Sequence, residues 1–156
     1  MLEVQNINYK IMQQLLYQLI TQSLDDLYHN DFYLISHQVS ERSITFQFAT
    51  YFKNHMCNTA LAQYNVDCEY NRDGDDSKQI DGDKVYPDFI VHRRGSNEDN
   101  LLVIEFKTWW NPNNNNDIKK LKNMMSEQYR YKYKYAYSIV LAPTRKDVKI
   151  IQVRLP

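Results

Sequence analysis

VYPDFIVHRR (85–94), GSNEDN (95–100) and LLVIEFKT (101–108) follow one another without interruption. The first and last are rich in β-branched and aromatic residues, and the middle is a turn-forming cluster, so the three together predict a β-hairpin. Side chains alternate faces along each strand. Asp88, Ile90 and His92 therefore share one face of the first strand, and Val103, Glu105 and Lys107 share one face of the second, with Phe106 turned the other way. If Ile90 lies opposite Val103, Asp88 lies opposite Glu105; a slip of two residues sets Asp88 opposite Lys107 instead. Either register gathers three charged groups on one face.

Two carboxylates about 4 Å apart repel by about 4 kcal/mol at an effective dielectric near 20, so a site that forces them together calls for a proton or a cation. A few hard oxygen ligands, with room left for water and a phosphate oxygen, suit Mg²⁺ or Mn²⁺ better than zinc. Such an ion activates water and neutralises charge on phosphorus, which is metal-assisted hydrolysis of a phosphodiester. Lys107 adds a compact ammonium that orients the attacking water or stabilises the developing charge.

Pro87-Asp88 inside one apolar strand, with Glu105-Phe106-Lys107 at the end of the next, resembles the PD-(D/E)XK superfamily of nucleases. Members commonly carry a further Glu on a helix before the sheet, and Glu41 qualifies. The stretch SERSITFQFATYFKNHM (40–56) has a helical apolar stripe at Ile44, Phe48, Tyr51 and Phe52, with Ser40 as N-cap and Glu41 one turn further along the stripe. A carboxylate on that face is costly unless it pairs or ligates; the bland alternative is a first-turn Glu that favours the helix dipole or meets a basic side chain. The resemblance implies Mg²⁺, with Mn²⁺ as a substitute, held by Asp88, Glu105, Glu41 and the backbone carbonyl of Phe106.

Around this centre the chain reads as one α/β domain over residues 1–156. An amphipathic helix is expected over about 7–22, with Ile11, Leu15, Leu16 and Leu19 on its apolar side, then a short helical piece at Leu24 to Tyr28 and an irregular NDFYLISHQ. YNVDCEYN (64–71) alternates as a strand with one buried face. A further helix is expected from Asp117, with Ile118, Leu121, Met124 or Met125, and Gln128 at helical spacing. YSIVLA is an apolar strand, and VKIIQVRL closes the sheet. The order helix, three strands, helix, strand matches the restriction-endonuclease-like core over about 40–142, with helices added at about 1–38 and a last strand at about 147–155. The implied architecture is a mixed central sheet flanked by helices. The phrasing from NVDCEYNRDGDD to LLVIEFK is similar to small bacterial members of the superfamily. The Gln-x-x-x-Tyr of its exonuclease-helicase branch is absent, because Gln128 is followed by Tyr131 and Tyr133 at other spacings.

With 156 residues and 43% hydrophobic composition, the chain can bury one moderate core. No apolar run reaches the roughly 18 residues of a membrane span, and MLEVQNINYK lacks the design of a signal peptide, so a cytoplasmic location and no membrane partner are expected. Cys57 and Cys68 lack zinc-ligand spacing and are expected to be semi-buried thiols. NRDGDDSKQIDGDK (71–84) fits no calcium-loop frame and reads as a solvated connection. His92 lies about 13 Å along the strand from Asp88 and is expected to be a hydrogen-bonded sheet residue.

Equal numbers of basic and acidic residues, 19 each, argue against a DNA-coating protein. Between Asp117 and Lys134, however, six basic residues face two acidic ones. Lys119, Lys120, Lys122 and Arg130 are candidate phosphate contacts, and Tyr129, Tyr131, Tyr133 and Tyr135 either stack on bases or pack in the core. Trp109 and Trp110 line a cleft or bury against the N-terminal helices. The expected activity is hydrolysis of DNA, with a homodimer or a partner protein supplying any long recognition site. Two other classes stay open: a non-catalytic nucleic-acid-binding or protein-interaction module, and a metal-dependent hydrolase of RNA or small nucleotides.

Overall fold

The computed structural model describes residues 2–113 and 115–156. Helix α1 (Leu2–Asn30) leads through the short α2 (Phe32–Ser36) to α3 (Glu41–Met56). Strand β1 (Asn65–Cys68) follows, then a two-stranded ribbon of β2 (Gln79–Ile80) and β3 (Asp83–Lys84), then β4 (Phe89–His92) and β5 (Leu102–Lys107). Helix α4 (Asn115–Met125), β6 (Tyr135–Val140), one turn of 3-10 helix and β7 (Lys149–Val153) complete the chain. No helix among the described residues is long and apolar enough to cross a membrane.

Five strands form one mixed sheet in the order β1-β4-β5-β6-β7. Every pair is antiparallel except β5 and β6, whose parallel pairing takes its crossover through α4. Side-chain alternation divides the apolar residues between two faces. Phe89, Val91, Leu102, Ile104, Phe106, Tyr135, Tyr137 and Ile139 pack with α1 and α3, whereas Ile90, Val103 and Ala136 pack with Leu121 and Met124 of α4. The first core is aromatic at its centre, with Phe48 edge-on to both Phe89 and Phe106 at 5.3 and 4.9 Å between ring centres. An α/β chain with a mixed sheet flanked by helices is what the sequence leads one to expect.

Several local expectations are corrected. One helix of 29 residues replaces the two N-terminal pieces; it carries Leu16, Leu19, Ile20, Leu24 and Leu27 into the core but leaves Ile11 58% exposed. NDFYLISHQ contains α2 rather than irregular chain. The connection over 71–84 is folded: Asp81 and Gly82 both have positive φ, 54° and 87°, and form the two-residue turn between β2 and β3. Lys78 in this segment is buried, its ammonium over the Tyr70 and Tyr131 rings and donating to the Arg72 carbonyl. Helix α4 ends at Met125, before Gln128, because Tyr131, Tyr133 and Tyr135 are already pulled into the core on the way into β6, with the chain turned at Lys132 (φ 47°). Cys57 is exposed, and only Cys68 is half-buried.

Candidate active site

Ile90 pairs with Val103, so the first of the two registers occurs and Asp88 meets Glu105 at the end of the β4–β5 ladder. Two hydrogen bonds interlock the pair. The Asp88 N–H donates to Glu105 Oε1 at 3.3 Å, and the Phe106 N–H donates to Asp88 Oδ2 at 2.8 Å. The Phe106 side chain belongs to the core on the opposite face, as its alternation demands. Pro87 is buried before Asp88 and has no N–H of its own to satisfy.

Lys107, two residues beyond Glu105, reaches over the end of the sheet to two helices. Its Nζ lies 3.3 Å from Asp117 Oδ2 and 3.9 Å from Glu41 Oε1. Ser40 caps α3 through its hydroxyl, which accepts from the Ser43 N–H at 3.4 Å, and this fixes Glu41 as the first helical residue. Asp117 lies in the first turn of α4. One turn further along α4, Lys120 Nζ lies 2.8 Å from Glu105 Oε1 and 2.9 Å from Oε2, and donates to the Tyr86 carbonyl at 2.8 Å. Four carboxylates thus surround two ammonium groups. Glu105 is 2% exposed and Asp117 9%.

This crowding raises the acids. Burial, then the Asp88 carboxylate, pushes Glu105 up to about 8 despite the ammonium of Lys120. Burial followed by Asp88 pushes Glu41 up to about 7, against the pull of Lys107. Asp88 is also raised, chiefly by burial, with the Phe106 N–H and both lysines opposing. For Lys107, burial favours the neutral amine, but Asp117 and Glu41 outweigh it and the ammonium is held above its ordinary value.

Among the described residues no three carboxylate, imidazole or thiol groups converge into a ready-made metal cage. A hard cation does not require one. Mg²⁺ is commonly held by one or two carboxylates and completes its octahedron with water and substrate oxygens. Asp88, just ahead of β4, and Glu105 on β5 offer two interlocked carboxyl groups of the oxygen type such an ion takes, and Glu41 and Asp117 are the further acids around them.

The four acids and bases expected at the centre, Glu41, Asp88, Glu105 and Lys107, are brought together. Of the candidate phosphate contacts, Lys120 is part of the site itself, while Lys119 is exposed beside it, lining a cleft between α4 and the β2–β3 ribbon. Lys122 is exposed on α4. Arg130 does not join them: it is bound to Asp73 at 2.6 Å, near the start of β6 and at the opposite end of the sheet from Lys107. Tyr131, Tyr133 and Tyr135 are buried, so base stacking by these rings is excluded. Trp109 and Trp110 pack edge-on at 4.3 Å and lie against the α1–α3 core. His92 is buried and bonded to Asp67 at 2.8 Å, a sheet residue as expected.

Asp117 is the residue that sequence reasoning missed. Its signal was present, since Asp117 and Lys120 are three apart and share a face with the apolar Leu121 and Met124, which turns toward the sheet. Comparison with protein-family models, curated proteins and solved structures gives no match.

Proposed function

We propose that the protein is a metal-dependent nuclease that hydrolyses phosphodiester bonds in DNA, built on a restriction-endonuclease-like core running from α3 through β6. The order α3, β1, β4, β5, α4, β6, with the small ribbon inserted after β1, supports that reading of the core. The observation that carries the function is the interlocked Asp88–Glu105 pair with Lys107 two residues beyond it on the same face.

Mg²⁺ or Mn²⁺, when bound, would supply Lewis-acid stabilisation of the phosphodiester oxygens and a water of lowered pKa. Asp88 and Glu105 would hold the ion, and Glu41 would offer a further oxygen. The Phe106 N–H keeps Asp88 Oδ2 oriented, so that oxygen cannot rotate freely when the site fills. Lys107 is steered by Asp117 and Glu41 and remains an ammonium. It would orient the attacking water or stabilise charge on the phosphoryl oxygens as a fixed point charge.

Cleavage of linear duplex, supercoiled plasmid, single-stranded DNA, four-way junction and RNA, with Mg²⁺ or Mn²⁺, tests the proposal. Native protein should cut at least one DNA with metal and not with chelator, and Asp88→Ala and Lys107→Ala should each abolish cutting. Cutting that survives Asp88→Ala, or that ignores chelator, would refute it.

A further inference from the structure

Lys120 has no part in the hydrolysis just described, yet it holds the most buried acid of the site. Its Nζ touches three oxygens, both from Glu105 and the Tyr86 carbonyl, at 2.8 to 2.9 Å. A carboxylate and a backbone carbonyl are the oxygen types a hard divalent cation takes. Tyr86 lies two residues before Asp88, so the ammonium sits on the strand end where the donor pair is assembled. An ammonium and a divalent ion cannot both claim the Glu105 oxygens, because like charges a few Å apart in a buried site repel by several kcal/mol.

The lysine also has somewhere else to go. Its side chain is 22% exposed and lines the cleft of about 280 Å³ between α4 and the β2–β3 ribbon, together with Lys119, Asn116 and Asn123 on the helix side and Asp81 and Asp83 on the ribbon side. A flexible four-carbon stem can swing between two positions while carrying its compact charge with it.

We propose that Lys120 is a built-in counter-ion occupying the divalent-cation seat at Glu105, and that it yields this seat to the metal by moving to a phosphate of the arriving nucleic acid. Metal loading and substrate binding are then coupled through one ammonium, and the coupling is reciprocal. Without nucleic acid the seat is blocked and metal binds weakly. With it, Lys120 is drawn away and Glu105 is freed.

This inference rests on the metal-dependent reading, and Mn²⁺ binding followed by the electron paramagnetic resonance of the free ion separates the two. Native protein, Lys120→Gln, Lys120→Met and Lys119→Gln are compared at pH 8, with and without a phosphorothioate DNA strand that resists cleavage. Both Lys120 variants should bind Mn²⁺ at least about tenfold more tightly than native protein in the absence of DNA. Lys119→Gln, which removes the same charge without touching Glu105, should not. The DNA strand should tighten Mn²⁺ binding to native protein by a larger factor than to Lys120→Gln, where only the substrate oxygens add to the ion's shell. Equal or weaker Mn²⁺ binding in both folded Lys120 variants overturns the proposal while leaving the nuclease reading intact. Tightening by DNA that persists undiminished in Lys120→Gln also overturns it. Absence of Mn²⁺ binding in all four proteins, with DNA present, overturns the metal-dependent reading and the proposal with it.

Discussion

Raising pH from 5 to 8, without metal, should weaken the fold through Glu105. Its carboxyl shifts from 4.5 to about 8 on folding, so the native state holds a proton that the unfolded chain has released. A folded value raised above the unfolded one gives stability that is fully present below pH 4.5 and lost as pH rises toward 8, with no further loss above. The full shift corresponds to about 5 kcal/mol, and relaxation around an ionised carboxylate that already touches Lys120 brings the expected loss to about 2–4 kcal/mol. Glu41, raised to about 7, acts in the same direction with a smaller effect because its side chain is 28% exposed. For a chain of this size, the Glu105 share alone lowers the melting temperature by roughly 5–15 °C. The window lies at or below the value of about 8 to which burial depresses Lys78, so that lysine contributes little to the slope. Thermal melts of native protein and Glu105→Gln at half-unit steps measure the difference. The slope should flatten by at least half in the variant. Equal slopes in the two proteins would refute the claim that the site stores its destabilisation in Glu105.

Mg²⁺ at about 100 times its dissociation constant should stabilise the native protein by about 2.7 kcal/mol and raise its melting temperature by roughly 5–10 °C. Asp88→Ala should lose that shift, and an equal shift in both proteins would place the ion elsewhere. Asp67 is opposed by burial but held down to about 2 by His92 and Arg94, so its contribution is present above pH 4 and is lost as pH falls through 2. Asp67→Asn should therefore cost about 2 kcal/mol in urea unfolding at pH 7 and much less at pH 2.5, and a gap independent of pH would contradict the ion-pair account. Phe48, fully buried between Phe89 and Phe106, should cost about 3–5 kcal/mol as Phe48→Ala in the same assay, and a loss below about 1 kcal/mol would mean the aromatic core is packed otherwise.

The β4–β5 hairpin was legible because two strong local signals agree there, β-branched runs on both sides and a polar turn carrying Gly95 at φ 84°. Once the strands are known, period-two alternation leaves little choice about where Asp88, Glu105 and Lys107 point. Ser40 and the stripe through Ile44, Phe48 and Phe52 fixed α3 in the same way. The β2–β3 ribbon escaped notice although Asp81-Gly82 is a hairpin dipeptide, because Gln79, Asp83 and Lys84 around it give no apolar strand pattern. The end of α4 was misplaced because alternate tyrosines entering β6 compete with a helical period that runs on by chance to Gln128. The contact of Lys120 with Glu105 joins residues 15 apart across a helix and a strand. Helical periodicity gives the face of α4 that carries Lys120, but only the packing of α4 on β5 says which acid it meets.

Why so many acids are tolerated at one end of a sheet follows from where the helices begin. Glu41 is the first residue of α3 and Asp117 is in the first turn of α4, so both helix N-termini approach Lys107 together with their acids. Each N-terminus contributes roughly half a positive charge. With Lys107 and Lys120 added, the four carboxylates fall about one charge short of neutrality, which the raised values of Glu41 and Glu105 meet by retaining a proton. A divalent ion in place of that proton would leave the set about one charge positive, the complement of a single phosphodiester. On this accounting Asp117 belongs to the balance too: its charge helps to raise Asp88 and Glu105, and it steers Lys107. Asp117→Asn should thus leave the fold intact, since the amide keeps a hydrogen-bonding oxygen for Lys107. It should also weaken Mn²⁺ binding by less than Asp88→Ala does, and a loss as large as that of Asp88→Ala would make Asp117 a ligand instead of a steering group.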